Sequence, residues 1–269
     1  MLTSLQNQTV KQLRKFQQPK ERRKQSVLLL EGTHLIEAAC EVRYPLQTLC
    51  YTEAWQVRHK RLCEEAIAQS HQVELVSPEV LKSIASTITP DGAIAIAPRR
   101  NVWKAESGRP KDMVSLGVIL ETLQDPGNLG TIIRTSAGVG SDGLWLSHDS
   151  VDLGHPKVLR ASVGQWFRMP MATVDVVEQA STLRQNGVQV VATTAAAELD
   201  YWQLDLQRPT VFLMGNEGAG LSDALMACAS VTVKIPVAPE VESLNVAIST
   251  ALLLYEAKRQ RQVVSCGDH

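Results

Sequence analysis

The chain has 269 residues, with 27 basic against 28 acidic side chains and a formal net charge of −1. Hydrophobic residues make up 44% and charged residues 20%, a composition that excludes a disordered, collagenous or fibrous chain. No apolar run approaches the roughly 20 residues that span a bilayer, and the opening MLTSLQNQTVKQLRKF is polar and basic where a signal peptide is apolar. A cytoplasmic protein with a sizeable core is expected.

The predicted elements alternate from the start. Residues 3–17 carry a helical pattern, and Val27-Leu28-Leu29-Leu30 is a buried strand. Helix follows at 33–41, strand at 46–51, helix at 60–69, strand at 72–76, helix at 78–86 and strand at 92–97. This describes a small α/β domain. The stretch from Ala97 to Lys111 combines turn formers and charges without apolar periodicity, and it reads as a linker. Strand pattern resumes at 114–120, with helix at 128–138 and strands at 143–147, 188–193, 210–214 and 231–235. A long helix is expected at 243–262. Strands separated by helical segments imply a mainly parallel sheet covered on both faces. The expected division is residues 1–104, a linker at 105–112, and residues 113–269.

The neutral total hides an asymmetry. Residues 1–112 hold 17 basic and 12 acidic side chains, and residues 113–269 hold 10 and 16. Lys11, Arg14, Lys15, Lys20, Arg22, Arg23 and Lys24 crowd the first helical region, opposed there by Glu21. A basic patch beside an acidic body suggests a polyanion such as nucleic acid. The same charges also fit a solvated helix face. Five cysteines (Cys40, Cys50, Cys63, Cys228, Cys266) form no Cys-x-x-Cys pair, and the six histidines show no ligand spacing. A reducing compartment is expected, with neither a disulfide framework nor a metal centre.

Gly138-Val-Gly140-Ser-Asp-Gly143 matches the dinucleotide pattern Gly-x-Gly-x-x-Gly. In that pattern a strand precedes the glycines and a helix follows. Here the order is reversed, so these glycines are read as a helix end turning into a strand.

Three segments carry the chemistry. In Glu121-Thr-Leu-Gln-Asp-Pro-Gly-Asn128-Leu-Gly130-Thr-Ile-Ile-Arg134, a turn follows a buried strand and Asn128 is placed to cap the next helix. Capping plus a salt bridge would account for Asn128 and Arg134 without any chemistry. In Val211-Phe-Leu-Met-Gly215-Asn-Glu217-Gly-Ala-Gly220-Leu, a hydrophobic strand runs into three glycines, which let backbone approach a ligand closely. The Glu217 carboxylate stands at the carboxyl end of that strand, where parallel α/β sheets bind ligands; a plain turn is the other reading. In Ile235-Pro-Val-Ala-Pro-Glu-Val-Glu-Ser243-Leu-Asn245-Val, a Pro-bounded loop leads to Ser243, a good N-cap, with Asn245 in the first turn of the helix.

Together, Asn-x-Gly-x-x-x-Arg, then Gly-Asn-Glu-Gly-x-Gly, then Ile-Pro leading to Glu-Ser-Leu-Asn-Val resemble the three motifs of the SpoU-type (TrmH-like) RNA ribose 2′-O-methyltransferases of the SPOUT superfamily. The resemblance covers residues 113–262. Leu30-Glu-Gly-Thr-His-Leu-Ile36 and Ile88-Thr-Pro-Asp-Gly-Ala-Ile-Ala95 are similar to an L30e-like substrate-binding domain. The resemblance implies an α/β chain in which a C-terminal parallel-sheet SPOUT domain with a trefoil knot is preceded by a small α/β L30e-like domain. It also implies S-adenosyl-L-methionine as cofactor and a homodimer.

By the same resemblance, Gly215, Ile235 and Leu244 contact the cofactor. Asn128, Arg134, Glu217, Ser243 and Asn245 are catalytic, with Arg134 reaching the other subunit's site. Val237 and Pro239 depart from the usual Met and Gly of the third motif. The activity implied is methylation of a ribose 2′-hydroxyl in structured RNA, 23S-type ribosomal RNA first. A tRNA methyltransferase and a non-catalytic RNA-binding assembly factor are the alternatives. Arg22, Arg23 and Lys24 are the expected RNA contacts.

Overall fold

The structure, a computed structural model, describes residues 1–99 and 114–265, with side chains described to residue 262. The expected linker at 105–112 and Cys266 lie outside the described residues. The chain forms two compact units, one of Met1–Arg100 with Asp152–Arg168, the other of Asn101–Val151 with Met169–His269.

The first unit opens with α1 (Gln8–Lys15) and α2 (Pro19–Gln25), followed by β1 (Val27–Glu31), α3 (Thr33–Glu41) and β2 (Leu46–Tyr51). Then come α4 (Glu53–Arg58), α5 (Lys60–Ala68), β3 (Ser70–Leu75), α6 (Pro78–Ile84) and β4 (Ala93–Pro98). The single helix expected at 3–17 is therefore α1 alone. Asn7 caps it by accepting from the Thr9 N–H at 2.8 Å, so the helix starts later than the periodicity suggests. Proline at the first position of α2 begins a second helix.

The sheet runs β1-β4-β2-β3, with β2 and β3 parallel and β4 antiparallel to both β1 and β2. Val10, Leu13 and Phe16 of the α1 region and Val80, Leu81 and Ile84 of α6 pack with Val27, Leu29, Ile94 and Ile96 in one buried cluster.

The loop pair that resembled an L30e-like domain is joined by hydrogen bonds. Asp91 accepts from the Thr33 N–H (3.0 Å) and from the Thr33 hydroxyl, which in turn accepts from the Trp55 indole at 2.9 Å. Burial pushes the Asp91 carboxyl up, but these hydrogen bonds from Thr33 outweigh it and hold the group below its ordinary value.

The second unit contributes β5 (Leu116–Leu120), α7 (Pro126–Val139) and β6 (Gly143–Leu146). The chain then supplies residues 152–168, with α8 (Pro156–Ala161), to the first unit. There Asp152 meets Arg99 at 2.7 Å, Arg160 meets the buried Glu31 at 3.1 Å, and Arg168 meets Glu41 at 2.7 Å. The Tyr44 ring lies 5.0 Å from that of Phe167.

The second unit continues with β7 (Met171–Thr173), α9 (Val176–Gln185), β8 (Gln189–Thr193), β9 (Thr210–Met214), α10 (Asp223–Met226), β10 (Val231–Val233) and α11 (Val246–Ser265). Its six strands are all parallel, in the order β10-β8-β9-β5-β6-β7. The decoy glycines behave as expected: α7 ends at Val139, Gly140 takes the left-handed conformation (φ +80°), and β6 begins at Gly143.

Candidate active site

The order of the second sheet fixes where a site belongs. From β5 the chain goes by way of α7 to β6 on one side, whereas the next strand after β9 is β10, beyond β8 on the other. Adjacent strands β5 and β9 thus send their connections in opposite directions, and the loops at their carboxyl ends border the crevice where open parallel sheets hold ligands. Asn128 stands there in the first turn of α7, and Glu217 in the loop after β9.

The loop after β9 is a tight closed turn. Asn216 and Gly220 exchange two backbone hydrogen bonds of 3.0 Å, and the Asn216 side chain accepts from the Gly218 and Ala219 N–H groups at 2.9 and 3.0 Å. A Cβ on Gly215 would collide with the backbone of Gly220 and Leu221, so this position requires glycine. The turn leaves Glu217 exposed at its tip.

Three of the five expected catalytic side chains form one hydrogen-bonded line. The Asn128 amide donates to Glu217 Oε1 at 3.0 Å, and its carbonyl oxygen accepts from the Asn245 amide at 3.0 Å. Asn128 therefore spends both amide atoms joining the loop after β9 to the start of α11.

The capping roles differ from those expected. Asp125, not Asn128, caps α7, accepting from the N–H groups of Gly127 (2.6 Å) and Asn128 (2.9 Å). Pro126 at the first helical position excludes any later cap. Asn245, not Ser243, caps α11, accepting from the Ala247 N–H at 2.9 Å. Ser243 lies exposed in the preceding loop, and Arg134 is exposed on α7; neither joins the line by a hydrogen bond.

The expected cofactor contacts Gly215, Ile235 and Leu244 stand just after β9, just after β10, and before α11. Among the described residues their backbone groups enter no hydrogen bond outside the sheet ladders, which leaves donors and acceptors unspent for a polar ligand.

The SpoU rRNA Methylase family matches residues 115–255, and the MRM3-like substrate binding domain matches residues 7–95. An uncharacterised tRNA/rRNA methyltransferase of Synechocystis is 43% identical over 98% of this chain and 95% of its own length. The chain belongs to the SpoU rRNA methylase family.

A second SpoU-type relative is the 23S rRNA (guanosine(2553)-2′-O)-methyltransferase of Bacillus subtilis, 28% identical over 96% of this chain and 98% of its own. Among solved structures, the AdoMet-bound rRNA methyltransferase of Sinorhizobium meliloti superposes with a TM-score of 0.84 at 33% identity, covering 96% of this chain and 97% of that one. The fold is thus the α/β, parallel-sheet SPOUT methyltransferase architecture preceded by a substrate-binding domain. S-adenosyl-L-methionine is the cofactor of this SpoU family member.

Sequence reasoning missed Glu121, which accepts from the Ser222 N–H and hydroxyl, both at 2.7 Å, and so fixes the far end of the glycine loop. Its signal was available: like Glu217, it is a carboxylate at the carboxyl end of a buried parallel strand.

In the first unit the expected RNA contacts separate. Arg22 is only 4% exposed and donates to the Phe16 and Gln17 carbonyls at 2.7 and 2.8 Å. Burial lowers its pKa while Asp152 and Glu31 counteract the fall. Arg22 is a packing residue, and its assignment as an RNA contact is corrected. Arg23 and Lys24 are exposed, with Arg23 3.6 Å from Asp152.

Proposed function

We propose that this chain transfers a methyl group from S-adenosylmethionine to a ribose 2′-hydroxyl of structured ribosomal RNA, the chemistry named for its Bacillus subtilis relative. The observation that carries this reading is the line Asn245–Asn128–Glu217. It draws the three motif segments together at the carboxyl ends of parallel strands.

S-adenosylmethionine, when bound, supplies a methyl group already activated by its sulfonium. The chain must align the hydroxyl with it and manage one proton. Gly215, Ile235 and Leu244 hold the cofactor through backbone groups. Asn128 and Asn245 fix each other and Glu217, and Ser243 orients the ribose or its phosphate. Arg134 offers a planar guanidinium with five N–H donors and no acceptor. Its part is to hold a phosphate and stabilise a developing alkoxide rather than to take the proton.

Residues 1–104 bind the RNA, with Arg23 and Lys24 on phosphates, and residues 113–269 carry the chemistry. The enzyme works as a homodimer in the cytoplasm. Ile248 and Tyr255, seven residues apart on α11, are 52% and 53% exposed, which supports a second copy covering that face. Arg134 then serves the partner's site, and the trefoil knot belongs to the same reading.

The test is methyl transfer from labelled S-adenosylmethionine into unmodified ribosomal RNA and, separately, tRNA, followed by digestion to nucleosides. Label recovered as a 2′-O-methylnucleoside from ribosomal RNA is expected, and Arg134→Ala abolishes it while cofactor binding persists. Label in tRNA alone overturns the substrate. No transfer and no cofactor binding would point to an RNA-binding assembly factor.

A further inference from the structure

Thr122, in the loop after β5, is a β-branched residue with φ +53°, inside the left-handed region that such side chains avoid. Four hydrogen bonds hold it there. Its N–H donates to Ser147 Oγ at 2.8 Å, its hydroxyl donates to Asp149 Oδ2 at 2.7 Å, and its carbonyl accepts from Gln124 (3.2 Å) and Asn216 (2.9 Å).

Asp149 also accepts from the Ser147 hydroxyl at 2.5 Å, and its backbone carbonyl accepts from the Gln124 amide at 3.1 Å. Residues in sparsely populated backbone regions persist only where their surroundings over-determine them. Here two of the four restraints, on the N–H and on the hydroxyl, come from Ser147 and Asp149 in the loop after β6, which contributes none of the three motifs.

From Thr122 the connection runs straight into the site. Its carbonyl receives the Asn216 amide, the Asn216 oxygen receives the Gly218 and Ala219 N–H groups, and the turn so closed presents Glu217 to Asn128. We propose that Asp149 is a positioning residue for methyl transfer: by holding Thr122 left-handed it fixes Asn216, and with it the glycine loop that carries Glu217 and faces the cofactor. This deepens the methyltransferase reading and rests on it. The hydrogen bonds from Ser147 and then Thr122 hold the Asp149 carboxyl below its ordinary value, so the carboxylate form that makes these contacts is the one present at neutral pH.

Asp149 is exposed, so its truncation leaves the core intact. The decisive comparison is Asp149→Ala against Asp149→Ala combined with Thr122→Gly, because glycine adopts a positive φ without assistance. Hydrogen exchange over residues 215–221 in cofactor-free protein is expected to accelerate in the single variant and to return towards the parent rate in the double variant. Affinity for S-adenosylmethionine, by calorimetry, is expected to fall about tenfold and recover in parallel. Unchanged exchange in Asp149→Ala, or acceleration that glycine does not reverse, overturns the proposal. A parent protein that binds no cofactor overturns the methyltransferase reading instead, and the exchange result still decides the role of Asp149.

Discussion

Asn128 shows how much one amide can do when both of its ends are committed. Removing it leaves Glu217 without its donor and Asn245 without its acceptor, and it frees two loops from each other. Asn128→Ala is expected to lower kcat by about 10²-fold, the usual effect of losing alignment at a reacting centre, while melting temperature changes little. Steady-state kinetics beside a thermal melt check this. In the first unit, Arg22→Ala leaves two carbonyls without their donor and a gap in a buried place, at a cost of about 3 kcal/mol. Denaturant unfolding measures that loss. Lys24→Glu, by contrast, should preserve stability and make the salt dependence of RNA binding shallower.

The sequence named the residues of the line but gave the two capping roles to the wrong neighbours. Several polar side chains near a helix start compete for one geometry, and composition does not rank them. Pro126 was the legible signal, because a proline at the first helical turn marks the residue before it as the cap.

At the scale of elements, the long strands and helices were legible because apolar periodicity decides them. The expectations at 33–41, 46–51 and 210–214 coincide with α3, β2 and β9. Other elements escaped, the ten-residue α9 among them, whereas three-residue β10 lies within the strand expected at 231–235. Three-residue β7 carries too little pattern, and α4 is a six-residue helix ended at His59, which takes a non-helical backbone before α5 begins. The segment 152–168 escaped for a different reason: its ion pairs join residues more than 50 positions apart, a separation no local pattern encodes.

That segment gives the first unit a pH response. Burial lowers the His155 pKa, with Arg22 adding to the effect, and its Nδ1 accepts from the Lys157 N–H at 3.1 Å. Because the folded value lies below 6.5, the stabilisation is full above that pH and is lost as pH falls through the folded value. Burial pushes Asp152 up, yet the Gly154 N–H and Arg99 outweigh it, so its contribution is lost only below 3.8, as pH falls through its own lowered value. Chemical denaturation of the intact protein between pH 8 and about pH 3 should show two successive losses of stability. His155→Asn, which keeps a capping acceptor, should remove the first alone.

At the scale of the molecule, two compact units share one chain: residues 152–168 belong to the first unit although they follow β6 of the second. A fragment of residues 1–104 lacks Asp152 and Arg160, the ion-pair partners of Arg99 and Glu31. It also opens to water the face of β1 against which α8 packs. The fragment is expected to melt well below the intact protein and to be stabilised by a peptide of residues 152–168. Equal stability with and without the peptide would show that the segment contributes nothing. No helix among the described residues is long and apolar enough to cross a membrane.

The same arrangement sets a timetable for synthesis. The amino-terminal sheet has all four of its strands once residue 98 has emerged, but its last ion pair, Arg168 with Glu41, awaits about 70 further residues. At translation rates of roughly 5–20 residues per second, the nascent unit spends on the order of ten seconds with Tyr44 and Glu31 uncovered. Its completion is then coupled to the emergence of β5 and β6, so the first half of the chain finishes folding only after the second has begun.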